Sequence, residues 1–155
     1  MSGSDVQFNV AKGFIGKYFD NVDTATPTNC GIIVVPLIVT GLVSDATLID
    51  YTDLAAVLAG ASDEQTTMGR KTLIGASITQ TLSQASDYWS VTFSPITWTA
   101  ATGVACAKLL FCYDPDTTAG TDATVIPLLA YSFDATPDGS DIVVSPHANG
   151  LIRFS

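Results

Sequence analysis

A chain of 155 residues fits one domain, and at that length about 70 % of the unfolded surface can be buried, so a core forms without disulfide or metal staples. Six basic residues against fifteen acidic ones give a formal charge of −9, and the only adjacent basic pair is Arg70-Lys71, which argues against nucleic acid as a partner. Apolar residues make up 47 % and charged residues 14 %, with a mean hydropathy of +0.36, so much of the surface has to be Thr, Ser, Asn and small apolar groups and will carry patches suited to protein contact.

Glu64 is the only glutamate among the acidic residues. Aspartate caps and turns, whereas glutamate populates solvated helices, so this bias predicts many turns and little helix. The start, Met1-Ser-Gly-Ser-Asp-Val-Gln-Phe8, has neither the basic nor the apolar region of a signal peptide. The longest apolar run, Cys30 to Val39, is about half of a membrane span, so no membrane partner is expected. Three cysteines rule out a fully paired disulfide framework. Cys106 and Cys112 are six apart in a strand-like run and are expected on one side of it, as buried free thiols in a protein made in a reducing cytoplasm.

In chain order, residues 1–29 read as an N-terminal arm, flexible over 1–9. Val10, Phe14, Tyr18 and Val22 then recur every fourth position, a helical stripe that Gly13 and Gly16 weaken. Asp23 to Asn29 is a loop. The β-rich domain spans 30–155. Gly31–Val39 and Thr124–Tyr131 are strands apolar on both faces, and each carries a proline, Pro36 or Pro127. One helix is expected at about 50–59, with Asp50 as its cap, Asp53 three residues on, and Gly60 as its stop. Thr72–Leu82 alternates as a strand. A turn at Gln84–Asp87 leads into Tyr88–Phe93, with Trp89, Val91 and Phe93 on one face. Ile96 and Trp98, Val104–Tyr113 and Ile142–Ser145 complete about seven strands, and Asp138-Gly139 predicts a tight hairpin between Thr124–Phe133 and Ile142–Ser145. The expected fold is mainly β: a single-domain β-sandwich or jelly-roll-like barrel with one short helix alongside.

The residues that could carry chemistry are few. His147 is the only histidine, and no G-x-S-x-G elbow accompanies it, so histidine catalysis finds no support. Asp114, Asp116 and Asp122 occupy positions one, three and nine of a calcium-loop pattern, but Gly120 comes one place late and Val125 stands where a bidentate Glu is needed. An Asp-rich β-connection is the better reading of that segment. No Walker loop, dinucleotide fingerprint or CxxC is present, and neither an enzyme nor a cofactor is expected. Trp89, Trp98 and Tyr88 would make a sugar-stacking platform if exposed, although at strand spacing such residues are more often core.

The proline-bearing strands raise a packing question. Proline cannot donate to a ladder and favours an edge, yet a strand apolar on both faces needs cover on both sides. One solution is a pair of edge strands covered by a second subunit, which assigns Ile33, Val35, Pro36, Pro127 and Leu128 to the interface of a dimer or trimer. The other is a β-bulge inside the core of one chain.

Several segments resemble small virion proteins of tailed bacteriophages, of the capsid decoration (cement) type. They are VAKGFIGKYF, IIVVPLIVTGLVSDATLIDYTDLAAVLAGASDEQTTMGRKTL, TWTAATG and LLFCYDPDTTAGTDATVIPLLAYSFDATPDGSDIVV, in that order, covering most of the chain from Val10 onward. Gln80–Ser90 and the tail after Ser145 depart from the resemblance. It implies a non-enzymatic virion subunit on the capsid surface whose partners are the major capsid protein and other copies of itself. Lys12 and Lys17, in the arm, are the expected contacts to an acidic shell. The competing reading is a tail- or fibre-associated binding module for a host receptor or carbohydrate, which requires Trp89 or Trp98 outside the core.

Overall fold

The computed structural model describes residues 5–60 and 62–154. A five-stranded antiparallel sheet forms the centre. Its strands are β1 (Val6–Gln7), β2 (Gly31–Ile38), β3 (Lys71–Leu73), β7 (Cys106–Asp114) and β8 (Ile126–Ala135), in the order β1-β8-β7-β2-β3. A second antiparallel sheet contains β4 (Ile78–Ser83), β5 (Tyr88–Phe93) and β10 (Ile152–Phe154), ordered β10-β5-β4. A two-stranded ribbon pairs β6 (Ile96–Trp98) with β9 (Ile142–Val144). The helices are α1 (Ile15–Asp23), α2 (Asp45–Leu48) and α3 (Leu54–Ala59). Among the described residues no helix is long and apolar enough to cross a membrane.

The mainly β, sandwich-like single domain is the fold the sequence predicts, and the layering explains its two-faced strands. Side chains alternate across a sheet, so Ile32, Val34, Leu109 and Phe111 point one way and Ile33, Val35, Leu37 and Leu110 the other. The first set meets Ile78, Val91 and Phe93 of the second sheet, Trp98 of the ribbon, and Ile15, Phe19 and Val22 of α1. The second set meets Phe8, Leu48 of α2, and Leu54 and Val57 of α3. The central sheet is thus covered on both faces by the chain itself.

That layering corrects the interface expected from the prolines. Ile33, Val35, Pro36, Pro127 and Leu128 are all buried inside one chain, and β2 and β8 lie within the sheet rather than at its edges. Each proline is accommodated locally. Beyond β3, residues 63–65 take over the pairing with β2, and the carbonyl of Pro36 accepts from Gln65 N–H at 2.8 Å. The N and C=O of one strand residue point the same way, so the missing donor of Pro36 faces Gln65, whose own carbonyl accepts from Gly69 N–H at 3.2 Å. Pro127 stands at a bulge: Leu129 pairs with Phe111 and Pro127 with Cys112, which leaves Leu128 outside that ladder, and its carbonyl accepts from Phe8 N–H at 3.1 Å.

The arm is corrected as well. Residues 1–4 of the expected flexible stretch lie outside the described residues, but from Val6 onward the chain is part of the domain. Val6 pairs with Ala130, Phe8 and Phe19 are fully buried, and the packing has no boundary near residue 29. The buried stripe of α1 is Ile15, Phe19 and Val22: Val22 is buried as predicted, but Ile15 and Phe19 take the core positions expected of Phe14 and Tyr18, and Phe14 is exposed. The single helix expected at 50–59 begins at Leu54, with Asp53 rather than Asp50 as its cap; the Asp53 carboxylate accepts from Ala56 N–H at 2.8 Å. Gly60 ends it as expected.

Two further departures come from turns and bulges. Thr72–Leu82 is not one strand, because a 3-10 turn at Gly75–Ser77 carries the chain from the central sheet to the second. A Cβ on Gly75 would lie 2.8 Å from the carbonyl oxygen of Val22, so only glycine lets this turn sit against the end of α1. A bulge at Ala107, with Cys106 and Lys108 both pairing across consecutive residues of β2, reverses the side-chain alternation of β7. Cys106 therefore turns to Met68, which packs against the cluster on one face, and Cys112 belongs to the cluster on the other. Both are buried free thiols, as is Cys30, and burial raises all three thiol pKa values. Finally, β8 and β9 do not form a hairpin. Their connection crosses to the ribbon, tied down where Gly139 N–H donates to Ala101 O and Ala101 N–H to Ser140 O.

Candidate functional site

The Asp-rich connection between β7 and β8 is held by its own hydrogen bonds. Asp114 accepts from Asp116 N–H at 3.0 Å, and Asp116 accepts from the Thr118 amide and hydroxyl at 3.1 and 2.6 Å. The Thr118 bonds hold the Asp116 carboxyl below its ordinary pKa. Asp122 turns away to Arg70, which grips it at 2.6 and 2.9 Å and grips Glu64 at 2.9 and 2.7 Å. The guanidinium is the main cause holding the Asp122 carboxyl below the usual carboxylate range. The three carboxylates of the calcium-like pattern therefore serve two turns and an ion pair, and among the described residues no three His, Cys, Asp or Glu side chains group as metal ligands.

His147 lies in an exposed turn, its Nδ1 accepting from Asn149 N–H at 3.2 Å. Lys12 and Lys17 are both exposed; Lys12 Nζ donates to Asn9 Oδ1 at 2.6 Å, and Lys17 pairs with Asp20 at 3.5 Å.

The two tryptophans part company. Trp98 is 2 % exposed and its Nε1 donates to the Gly69 carbonyl, so it is core. Trp89 is half-buried at the open end of the second sheet. The strand register places Leu82, Trp89 and Phe154 side by side across β4, β5 and β10, with Trp89 stacked on Phe154 at 5.7 Å. Leu82 is 71 % exposed and Phe154 48 %. With Ser83, Gln84, Asp87 and Tyr88 they line an open groove of about 410 Å³, and the Arg153 guanidinium lies 3.9 Å over the Tyr88 ring. Alternation placed Trp89 on the core-facing side correctly. That the sheet runs past the core there depends on the length of β4 relative to the layer beneath, which no sequence period encodes.

Other large apolar side chains are exposed singly or in twos. Val39 and Val104 adjoin where Val39 N–H donates to Ala105 O, and Phe14, Ile74 and Val143 stand apart. No family model, curated protein or solved structure matches the chain.

Proposed function

We propose that this chain is a non-enzymatic structural protein of a tailed-bacteriophage virion, seated on the outer surface of the capsid, where it bridges neighbouring major-capsid subunits and stabilises the shell. The resemblance of its ordered segments to decoration proteins supplies the class. The observation that carries the reading is the pairing of a body cross-braced on both faces of its central sheet with large apolar side chains left at several separate points of its surface. A clamp across a shell joint needs stiffness and contact area, and this combination provides both. The net charge of −9 favours an external position, since packaged DNA would repel it. Residues 5–29 belong to the rigid body, so the bridging contacts come from the folded surface, with Lys12 and Lys17 available to an acidic shell.

The second reading, a receptor- or carbohydrate-binding module of a tail or fibre, draws on one observation, the open groove beside Trp89. One comparison separates the two. Particles lacking the protein are heated and assayed for DNA release, then tested for adsorption to host cells. Earlier DNA release with normal adsorption supports the clamp. Unchanged thermal stability with lost adsorption refutes it in favour of the binding module.

A further inference from the structure

Sheet edges are where a β-protein invites pairing with another chain, and the described edges here differ sharply in how they are guarded. β1 has two residues, β3 has three and carries Lys71, and β10 has three and carries Arg153. The ribbon strands β6 and β9 have three each. β4 has six residues, Ile78-Thr-Gln-Thr-Leu-Ser83, with no charge, no proline and an unbroken register against β5. It is the longest of the described edges, and α1 packs beside it, with Gln80 Nε2 donating to Asp23 Oδ2 at 3.2 Å, while no described strand pairs with its outer side.

We propose that two copies of this chain join through β4, antiparallel about a two-fold axis at Gln80, to make one continuous six-stranded sheet. The sequence of the edge points to a second copy as the occupant. Ile-Thr-Gln-Thr-Leu reads nearly the same in both directions, so a two-fold at Gln80 sets Ile78 opposite Leu82, Thr79 opposite Thr81, and Gln80 opposite itself. Like meets like at every position, and Thr–Thr pairs are among the favourable cross-strand neighbours. Leu82, 71 % exposed in the single chain, gains an apolar neighbour.

The hydrogen-bond phase agrees. Ser94 N–H donates to Ser77 O at 2.8 Å, so the alternation of an antiparallel ladder turns the amides and carbonyls of Thr79, Thr81 and Ser83 toward β5. Those of Ile78, Gln80 and Leu82 face outward, as Ile78 N–H shows by donating to Gly75 O. A two-fold at Gln80 brings these outward groups together. Gln80 N–H meets the Gln80 carbonyl of the second copy, Leu82 N–H meets the Ile78 carbonyl, and each bond occurs twice. A two-fold centred on Thr79 or Thr81 would also bring outward groups together, but it would set Ile78 or Leu82 opposite Gln80, so the matching of apolar with apolar side chains is what selects the axis at Gln80. Contact between two acidic bodies is opposed by charge, so the dimer strengthens as salt rises. The inference is independent of the virion reading, because it concerns the purified chain alone.

Sedimentation across a concentration series at high salt tests it, with a monomer–dimer equilibrium expected. A wild-type chain that stays monomeric, or that forms a trimer, overturns the proposal. Thr79 and Thr81 are exposed on the outer face, so the single chain tolerates charge there. Thr79→Lys/Thr81→Lys places lysine opposite lysine and weakens the dimer by about tenfold or more, whereas Thr79→Lys/Thr81→Glu places opposite charges together and keeps it. Equal association of the two double variants refutes the register. Should the dilysine variant fail to fold, oxidation of Gln80→Cys decides. Paired residues at the two-fold have Cα atoms about 5.5 Å apart, within disulfide reach, while two copies of Ser83 would be about 20 Å apart. Rapid cross-linking of Gln80→Cys with none for Ser83→Cys is expected, and the absence of a Gln80→Cys cross-link overturns the pairing.

Discussion

Replacing Arg70 by methionine removes a guanidinium that joins two distant loops while keeping most of its apolar stem. Arg70 holds Glu64, in the segment that extends β2 pairing, and Asp122, in the turn before β8, through four hydrogen bonds of 2.6 to 2.9 Å. The side chains are 31 %, 14 % and 35 % exposed. Fully exposed ion pairs contribute about 0.2–1 kcal/mol, and breaking a buried one costs about 3–5 kcal/mol. Two forked pairs at intermediate exposure therefore place the loss at about 2 kcal/mol, a fall in melting temperature of about 4–8 °C for a chain of this length. The pH dependence has a definite sign. The folded-state pKa of Asp122 is depressed, so its contribution is present above the unfolded value of about 3.9 and is lost as pH falls through the folded one. Calorimetric melts of wild type and Arg70→Met should differ by the full amount near neutrality and converge below pH ~4. A difference under about 1 °C at neutral pH, or one that persists unchanged into acid, would show that the network contributes nothing and refute the reasoning.

Ile33→Asp should unfold the chain rather than release a folded monomer, because Ile33 is a member of the cluster beneath α2 and α3 and a buried unpaired carboxylate costs well over 4 kcal/mol. A cooperative melt near the wild-type temperature would sink that reading. Gly75→Ala should cost about 1–3 kcal/mol, since the new methyl meets backbone carbonyls of Val22 and Asp23 that move only with α1; an unchanged denaturation midpoint would show that the turn relaxes freely.

The parts of the fold legible in the sequence are those governed by period and by local chemistry. The strands around 31–39, 88–93 and 106–113, the Gly60 stop and the turn at Gln84–Asp87 all follow from residues within a few positions of one another. What stayed hidden was set at long range. A strand apolar on both faces reads the same whether a helix layer or a second subunit covers it, and here α2 and α3 cover it. The Ala107 bulge shifts one residue, and the face of Cys106 with it, without a sequence mark. Asp50 and Asp53 are both sound caps, and the choice fell to Asp53, with Leu54 N–H donating to Val125 O just outside β8. Of the candidate surface, Trp89 and Tyr88 were visible in advance, and Leu82 and Phe154 were not, because exposure depends on where the layer beneath ends.

The basic residues show what kind of contact this surface can make. Lys108, on β7 and 2 % exposed, reaches Asp45 at 2.9 Å and so pins the start of α2 to the sheet. Arg70 clamps two loops, Lys71 lies over the Trp98 ring at 5.8 Å, and Arg153 covers Tyr88. Four of the six cations are therefore braces within the body, and the electric field outside it is set by aspartates in turns. Such a surface cannot rely on long-range attraction to an acidic partner, because at physiological salt its few outward lysines act only within about 8 Å. Recognition has to come from short-range terms: apolar side chains that lose water on contact and backbone groups that find partners. Among the described residues the second sheet brings both together, in the neighbouring side chains Leu82, Trp89 and Phe154 and along the edge strand β4.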